Sequence, residues 1–161
     1  MSNVHWYFAY GSNMNRERVS RREMGFRRAL GGTLSDFELR FNKRSTVHPG
    51  MASANVMRVP GARVEGVVYE LSEPEQIEQM DPFEGFPERY VREPCAIVTD
   101  EGALTAWVYI ATERWITEGL RPARWYLNHL LAGEVHLSRD YYTALAGTEC
   151  LPGSEVEPVP R

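Results

Sequence analysis

The chain has 161 residues, 43% hydrophobic and 25% charged, a size and balance that suit one domain with a real core. No apolar run approaches the ~20 residues of a membrane-spanning helix, and residues 1–10 lack the basic start, apolar stretch and small-residue cleavage site of a secretion signal. Two cysteines, Cys95 and Cys150, argue against a disulfide framework and for a reducing, cytoplasmic compartment.

The net charge of −4 hides an asymmetry: residues 1–44 hold nine Lys+Arg against four Asp+Glu, so the remainder is strongly acidic. Arg16, Arg18, Arg21, Arg22, Arg27 and Arg28 supply most of the excess. They read first as the solvated face of a helix, and then as an attraction for anionic substrates or nucleic acid. The acidic remainder and the interleaved Glu17 and Glu23 weigh against nucleic acid.

In chain order, residues 6–10 are aromatic-rich and halted by Gly11, which predicts a strand entering a turn. A charged helix is expected over 15–24, ended by Gly25. Residues 34–41 alternate, with Phe37, Leu39 and Phe41 on one face of a strand. A loop over 45–50 precedes strands at 52–59 and 64–71, separated by a turn at Pro60-Gly61. Ser72 and Glu75 fit a capping box opening a short helix to about Met80. Residues 81–88, with two prolines and a glycine, should be irregular. Strands at 90–98 and 104–111 follow, joined by a turn at 100–102. Helices are expected over 122–132 and 138–146, ended by Gly133 and Gly147. The Pro-rich tail, 151–161, reads as loosely attached to a domain covering 1–150. About six strands and three or four helices without βαβ alternation make an α+β domain, with a mixed or antiparallel sheet able to close into a small barrel.

Two segments could carry chemistry. In the first, Tyr10, Gly11, Ser12, Asn13 and Met14 form a turn between a strand and a helix. Amides converging there, with the helix N-terminus behind them, can hold a carboxylate or an oxyanion. The plainer reading is a turn capped by Asn13 or Asn15. The second segment places Glu84 among aromatic residues and prolines, where apolar surroundings raise a carboxyl's pKa toward neutrality; the plainer reading is a solvated acidic turn. Of the three acids there, Glu84 rather than Asp81 or Glu88 is expected to face the turn at 11–13. The four histidines lack metal-ligand spacing, and no phosphate loop or nucleophile elbow is present, so no metal or cofactor is expected. Trp107, Tyr109, Trp125 and Tyr126 read as core.

Taken together, these segments resemble one family. The run Tyr7-Phe8-Ala9-Tyr10-Gly11-Ser12-Asn13-Met14 is similar to the opening strand and loop of γ-glutamylcyclotransferases. The run Gly66-Val67-Val68-Tyr69-Glu70-Leu71, followed by Met80-Asp81-Pro82-Phe83-Glu84-Gly85, matches the family's order of strand, short helix and Asp-x-x-Glu-Gly motif. Arg121-Pro122-Ala123-Arg124-Trp125-Tyr126-Leu127 resembles its late Pro-x-x-x-Tyr helix. The likeness runs from about residue 6 to residue 146. Met14 departs from the leucine commoner there, a change of little volume.

The resemblance implies a small β-barrel with flanking helices and a cofactor-free intramolecular transfer. In it, the α-amine of a γ-glutamyl compound attacks its own γ-carbonyl, releasing an amine and 5-oxoproline. Glu84 would be the general acid/base, and Tyr10, Gly11, Ser12, Asn13 and Met14 would hold the glutamyl portion. Tyr126, or its neighbour Trp125, would help fix the substrate. The expected partner is a small γ-glutamyl molecule, with neither nucleic acid nor membrane; the leaving group and the oligomeric state stay open at this level. A fold-only alternative is a module that binds such metabolites without turnover.

Overall fold

The structure, a computed structural model, describes residues 3–46 and 48–158; Val47 of the expected loop and the last three residues of the expected tail lie outside them. Five strands, β1 (Trp6–Ala9), β2 (Phe26–Arg44), β3 (Ala52–Leu71), β4 (Tyr90–Thr99) and β5 (Gly102–Ala111), close into a barrel in the order β1-β3-β2-β4-β5. The barrel's strands pair antiparallel except at the closing pair, where β1 meets β5 in parallel at Tyr7 and Trp107. Four helices flank it: α1 (Arg16–Arg21), α2 (Ile77–Glu84), α3 (Arg124–Leu131) and α4 (Arg139–Ala146). This is the expected α+β barrel. No helix among the described residues is long and apolar enough to cross a membrane.

The core explains the strand sequences. Residues 64–69 of β3 are all buried, because one face of the strand fills the barrel while the other lies beneath neighbouring elements. A strand covered on both sides need not alternate, and Val67, Val68 and Tyr69 do not. Leu127 and Leu130 of α3 are fully buried, each side chain contributing about 1.5–3 kcal/mol by leaving water.

Several sequence expectations are corrected. Residues 52–59 and 64–71 belong to a single twenty-residue strand. The Pro60-Gly61 signal makes a bulge rather than a hairpin: Ser35 pairs Arg63 and Phe37 pairs Arg58, leaving four residues of β3 opposite Asp36. Asp36 takes a left-handed conformation there and its carboxylate accepts from the Gly61 amide at 2.9 Å. Helix α1 stops at Arg21, and Glu23, not Gly25, adopts the positive φ of the exit. The Ser72–Glu75 capping box does not form; Gln76 instead accepts from the Gly25 amide at 2.7 Å.

The segment expected to be irregular from Asp81 is helical through Glu84. Pro82 stays within the helix, and Gly85 ends it at φ 71°, in the left-handed region that favours glycine. The Arg89 guanidinium fills the space where a Gly85 side chain would stand. The tail is not loose: Ser154 accepts from the Arg124 amide through its hydroxyl at 2.9 Å and from the Trp125 amide through its carbonyl at 3.0 Å. Helix α3 has no side-chain cap of its own, so the tail supplies one from thirty residues away. Ser154→Ala is expected to cost about 1 kcal/mol of stability, measurable by urea denaturation; an unchanged midpoint would mean that the carbonyl alone suffices.

Candidate active site

One cavity of about 440 Å³, within the ~300–1,000 Å³ of small-molecule sites, opens beside the barrel. The first turn of the chain, the end of α2 and the start of α3 all reach it: its lining includes Tyr10, Gly11, Ser12, Asn13, Glu84 and Tyr126. Asp81 and Glu88 do not line it. The two sequence motifs, 71 residues apart, meet directly: the Asn13 side-chain amide donates to Glu84 Oε1 at 3.2 Å.

The turn is built differently from a simple strand–helix junction. Residues Ser12–Met14 form a 3-10 turn, and the α-helix begins only at Arg16 after its Asn15 cap. The amides of Met14 and Asn15 are spent on the carbonyls of Gly11 and Ser12. Among the described residues, those of Ser12 and Asn13 have no protein acceptor, as befits the first residues of a 3-10 turn. They are donors left unspent in residues of the cavity wall. Gly11 permits the close approach of Tyr126: a side chain there would stand 3.1 Å from its hydroxyl and 3.3 Å from Ala54 Cβ.

Met14 is the exception among the expected cradle residues. It is fully buried and absent from the cavity wall, packed where Gly133 leaves room for it. Gly133 therefore serves close packing, and its φ of −85° is that of any residue.

Buried polar side chains hold the rest in place. Asn13 Nδ2 also donates to the Tyr7 hydroxyl at 2.9 Å, its Oδ1 accepts from Arg22 at 3.2 Å, and its carbonyl accepts from Tyr69 at 2.6 Å. The Tyr10 hydroxyl donates to the Tyr109 carbonyl at 2.6 Å. The Tyr126 hydroxyl accepts from the Ala54 amide at 2.9 Å while Tyr90 donates to the Ala54 carbonyl at 2.7 Å. Tyr126 and Trp125 both line the cavity. Tyr126 is the buried member, and Trp125 lies edge-on to the His48 ring.

Glu84 is half-buried and lines this cavity. Burial raises its pKa above the ordinary carboxylate value, and Arg22, Lys43, Arg18 and Arg89 offset part of the rise. One carboxyl thus faces several cations without a close ion pair to any of them. The Asp81 carboxylate is bound by Arg92 at 2.9 and 3.0 Å and by the Tyr109 hydroxyl at 2.6 Å.

Sequence reasoning missed Lys43, Arg89 and Glu157, all on the cavity wall, and named Arg18 and Arg22 only within a segment that could attract an anionic substrate. The arginine-rich segment is only partly a solvated face, since Arg18, Arg21 and Arg22 line the cavity. Arg28 instead pairs with Glu70 and Glu101. Glu157 comes from the tail, accepting from Arg18 at 3.1 Å and bonding His129 Nε2 at 2.8 Å. A neutral His129 protonated on Nε2, its Nδ1 accepting from Asn15 at 3.0 Å, satisfies that network. Burial lowers the His129 pKa, consistent with the neutral ring.

Solved structures share this fold. A solved structure named γ-glutamyl cyclotransferase superposes with a TM-score of 0.78 at 27% identity, over 92% of this chain and 89% of that one. An uncharacterized protein from Homo sapiens gives 0.79 at 26% identity, over 94% and 91%. A yeast γ-glutamyl cyclotransferase described as specific to glutathione, at 15% identity and 0.64, shares the fold over 87% of this chain and 93% of its own. A search of curated protein sequences found no match. The family description "Gamma-glutamyl cyclotransferase, AIG2-like" matches residues 7–127, from the strand before the turn to the helix carrying Tyr126, and the chain belongs to that family.

Proposed function

We propose that this protein is a γ-glutamyl cyclotransferase that uses Glu84 as its acid/base and needs no cofactor. The observation that carries the reading is the meeting of Glu84 with the 11–13 turn in one cavity, with Asn13 touching both. Ring closure is unimolecular, so holding the α-amine against the γ-carbonyl supplies much of the rate advantage. What is left is proton traffic and charge on the tetrahedral oxygen.

Glu84 and the free amides fit those two tasks. The nitrogen–carbon bond of the lactam forms and the original amide bond breaks. Two protons leave the α-ammonium as it becomes the lactam N–H, and two arrive on the departing nitrogen as it becomes an ammonium. Glu84 takes a proton from the attacking nitrogen and returns one to the leaving nitrogen. The amides of Ser12 and Asn13 hold the glutamyl portion and its developing oxyanion, while Tyr10 and Tyr126 shape the wall against it. Two unpaired cysteines suit the reducing, cytoplasmic setting proposed for it.

The direct test is incubation with a panel of γ-glutamyl amino acids, γ-glutamylamines and γ-glutamyl peptides, with 5-oxoproline read by mass spectrometry. Binding without 5-oxoproline from any member would leave a metabolite-binding module and remove the enzyme. A crystallographic check is independent of turnover: sulfate or a carboxylate is expected against the Ser12 and Asn13 amides. Crystals in which those amides are consumed by protein carbonyls would remove the anion cradle.

A further inference from the structure

Lys43 is a cation without a fixed counterion. It lies at the end of β2, is 6% exposed, and lines the same cavity as Glu84. Its ammonium stands 5.5 Å from the ring centroids of Tyr90 and of Trp115. Among the described residues it makes no hydrogen bond or ion pair; Arg21 of the cavity wall also makes none but is exposed, whereas Lys43 is buried and the remaining arginines near it are engaged. Arg22 donates to Asn13, Arg18 to Glu157, and Arg89 to the Thr46 hydroxyl at 3.3 Å. Aromatic faces compensate a desolvated ammonium only in part. The cavity therefore presents a second anion-seeking group, on a different element from the Ser12 and Asn13 amides.

We propose that Lys43 receives the carboxylate of the leaving group, so that the preferred substrates are γ-glutamyl amino acids rather than γ-glutamyl alkylamines. This builds on the cyclotransferase reading, in which the turn amides are occupied by the glutamyl half. A carboxylate beside the departing nitrogen is then the substrate anion left for Lys43. An alkylamine offers that ammonium nothing. Lys43 would act as a specificity residue, leaving proton transfer to Glu84.

The charges around Lys43 fit this use. Burial foremost, then Arg89 and Arg44, favour loss of its proton, while Glu84 favours keeping it; the result is a pKa of about 8. The ammonium is thus present at neutral pH and gives way above it. Tyr90, the titratable ring against it, is raised well above its ordinary value and stays neutral throughout that range.

The test reads binding, so that it does not depend on turnover. In the Glu84→Gln protein near neutral pH, γ-glutamyl-alanine is expected to bind at least about tenfold tighter than γ-glutamyl-ethylamide, which lacks only the carboxylate. Lys43→Met should bring the two together by weakening the alanine compound, and Lys43→Arg should retain a preference. Because Lys43→Met could disturb the barrel, the same preference is also followed with pH in the protein that keeps Lys43. It should fade as pH rises, at or somewhat below about 8, since Glu84→Gln removes a charge that helps hold the proton. The α-amine titrates in both ligands and cancels from the ratio.

Equal affinities with Lys43 present, a preference that survives Lys43→Met, or one flat from about pH 6 to about 9.5 would each overturn the assignment. So would a loss that instead tracks the glutamyl α-carboxylate, read with γ-aminobutyryl-alanine. A Lys43-dependent preference without any 5-oxoproline from the wild-type protein would sink the cyclotransferase reading and leave the carboxylate site standing.

Discussion

Glu84→Gln should nearly abolish formation of 5-oxoproline while leaving the protein folded and able to bind. Glutamine keeps the shape and can still meet Asn13, but it cannot take a proton from the attacking amine. Loss of a general base typically costs ~10²–10⁴ in rate. The structure adds a stability signature. Burial raises the Glu84 pKa in the folded state, so its contribution is most favourable below the unfolded-state value and is lost as pH rises through the folded one. At neutral pH the wild type therefore carries a cost that the variant avoids. Glu84→Gln should melt at an equal or higher temperature near neutral pH, with the difference closing in acid. The acid limb of wild-type kcat/KM should likewise lie above the ordinary carboxylate range. Turnover that survives the substitution would reject Glu84 as the base. A loss of affinity equal to the loss of turnover would recast it as an anchor for the α-ammonium.

The barrel was legible in the sequence where one face of a strand is wet. The alternation through Phe37, Leu39 and Phe41 located the middle of β2, and the aromatic run before Gly11 located β1. Where the sequence misled, a local signal met a tertiary use. The expected strand began only at residue 34, yet β2 runs from Phe26 straight through Gly31 and Gly32. A side chain at Gly32 would stand 2.5 Å from Val68 and 2.6 Å from Ile97, so the residue is required by packing. Ser72 and Glu75 carry the right chemistry for a capping box, but Gln76 is engaged with the Gly25 amide across the fold instead.

The candidate site was legible as two motifs, with Tyr126 added from the late helix. Ser12, Asn13 and Glu84 stood out because their neighbours are unusual for a surface turn. Lys43 and Arg89 did not, because their positions depend on long-range geometry. Strict alternation cannot bury two successive residues, yet Asn42 and Lys43 are both buried. A bulge between Arg40 and Lys43, with Phe41 and Asn42 of β2 against Ala54 of β3, shifts the pleat by one and turns Lys43 inward. Glu157 lay in a segment with three prolines and no periodicity, and the cap on α3, with the Leu151 amide on the Pro122 carbonyl, brings it to Arg18.

Asp81→Asn is expected to injure both stability and rate, which separates it from Glu84→Gln. From sequence alone Asp81 and Glu88 look like equivalent acidic neighbours of Glu84, suited as silent controls. Glu88 is exposed, and Glu88→Gln keeps that role. Asp81 is different: its carboxylate joins Arg92 of β4 and the Tyr109 hydroxyl of β5 to the last turn of α2. The side chains of Arg92 and Asp81 are only 15% and 13% exposed, so solvent screens the pair little. Neutralising one member strands a desolvated guanidinium between the rings of Phe86 and Trp107, 4.8 and 4.5 Å from their centroids. The expected cost is about 2–3 kcal/mol, or a melting temperature lower by roughly 5–10 °C. The Asp81 carbonyl also accepts from the Gly85 and Phe86 amides, so the same residue sets the exit of the helix that carries Glu84. A displacement of about 1 Å there can cost ~10² in rate. Calorimetry and turnover on the three variants should therefore sort them cleanly: Glu84→Gln loses rate alone, Asp81→Asn loses both, and Glu88→Gln loses neither. An Asp81→Asn protein with wild-type melting would show that Arg92 holds α2 through its ring contacts, and that the carboxylate is dispensable.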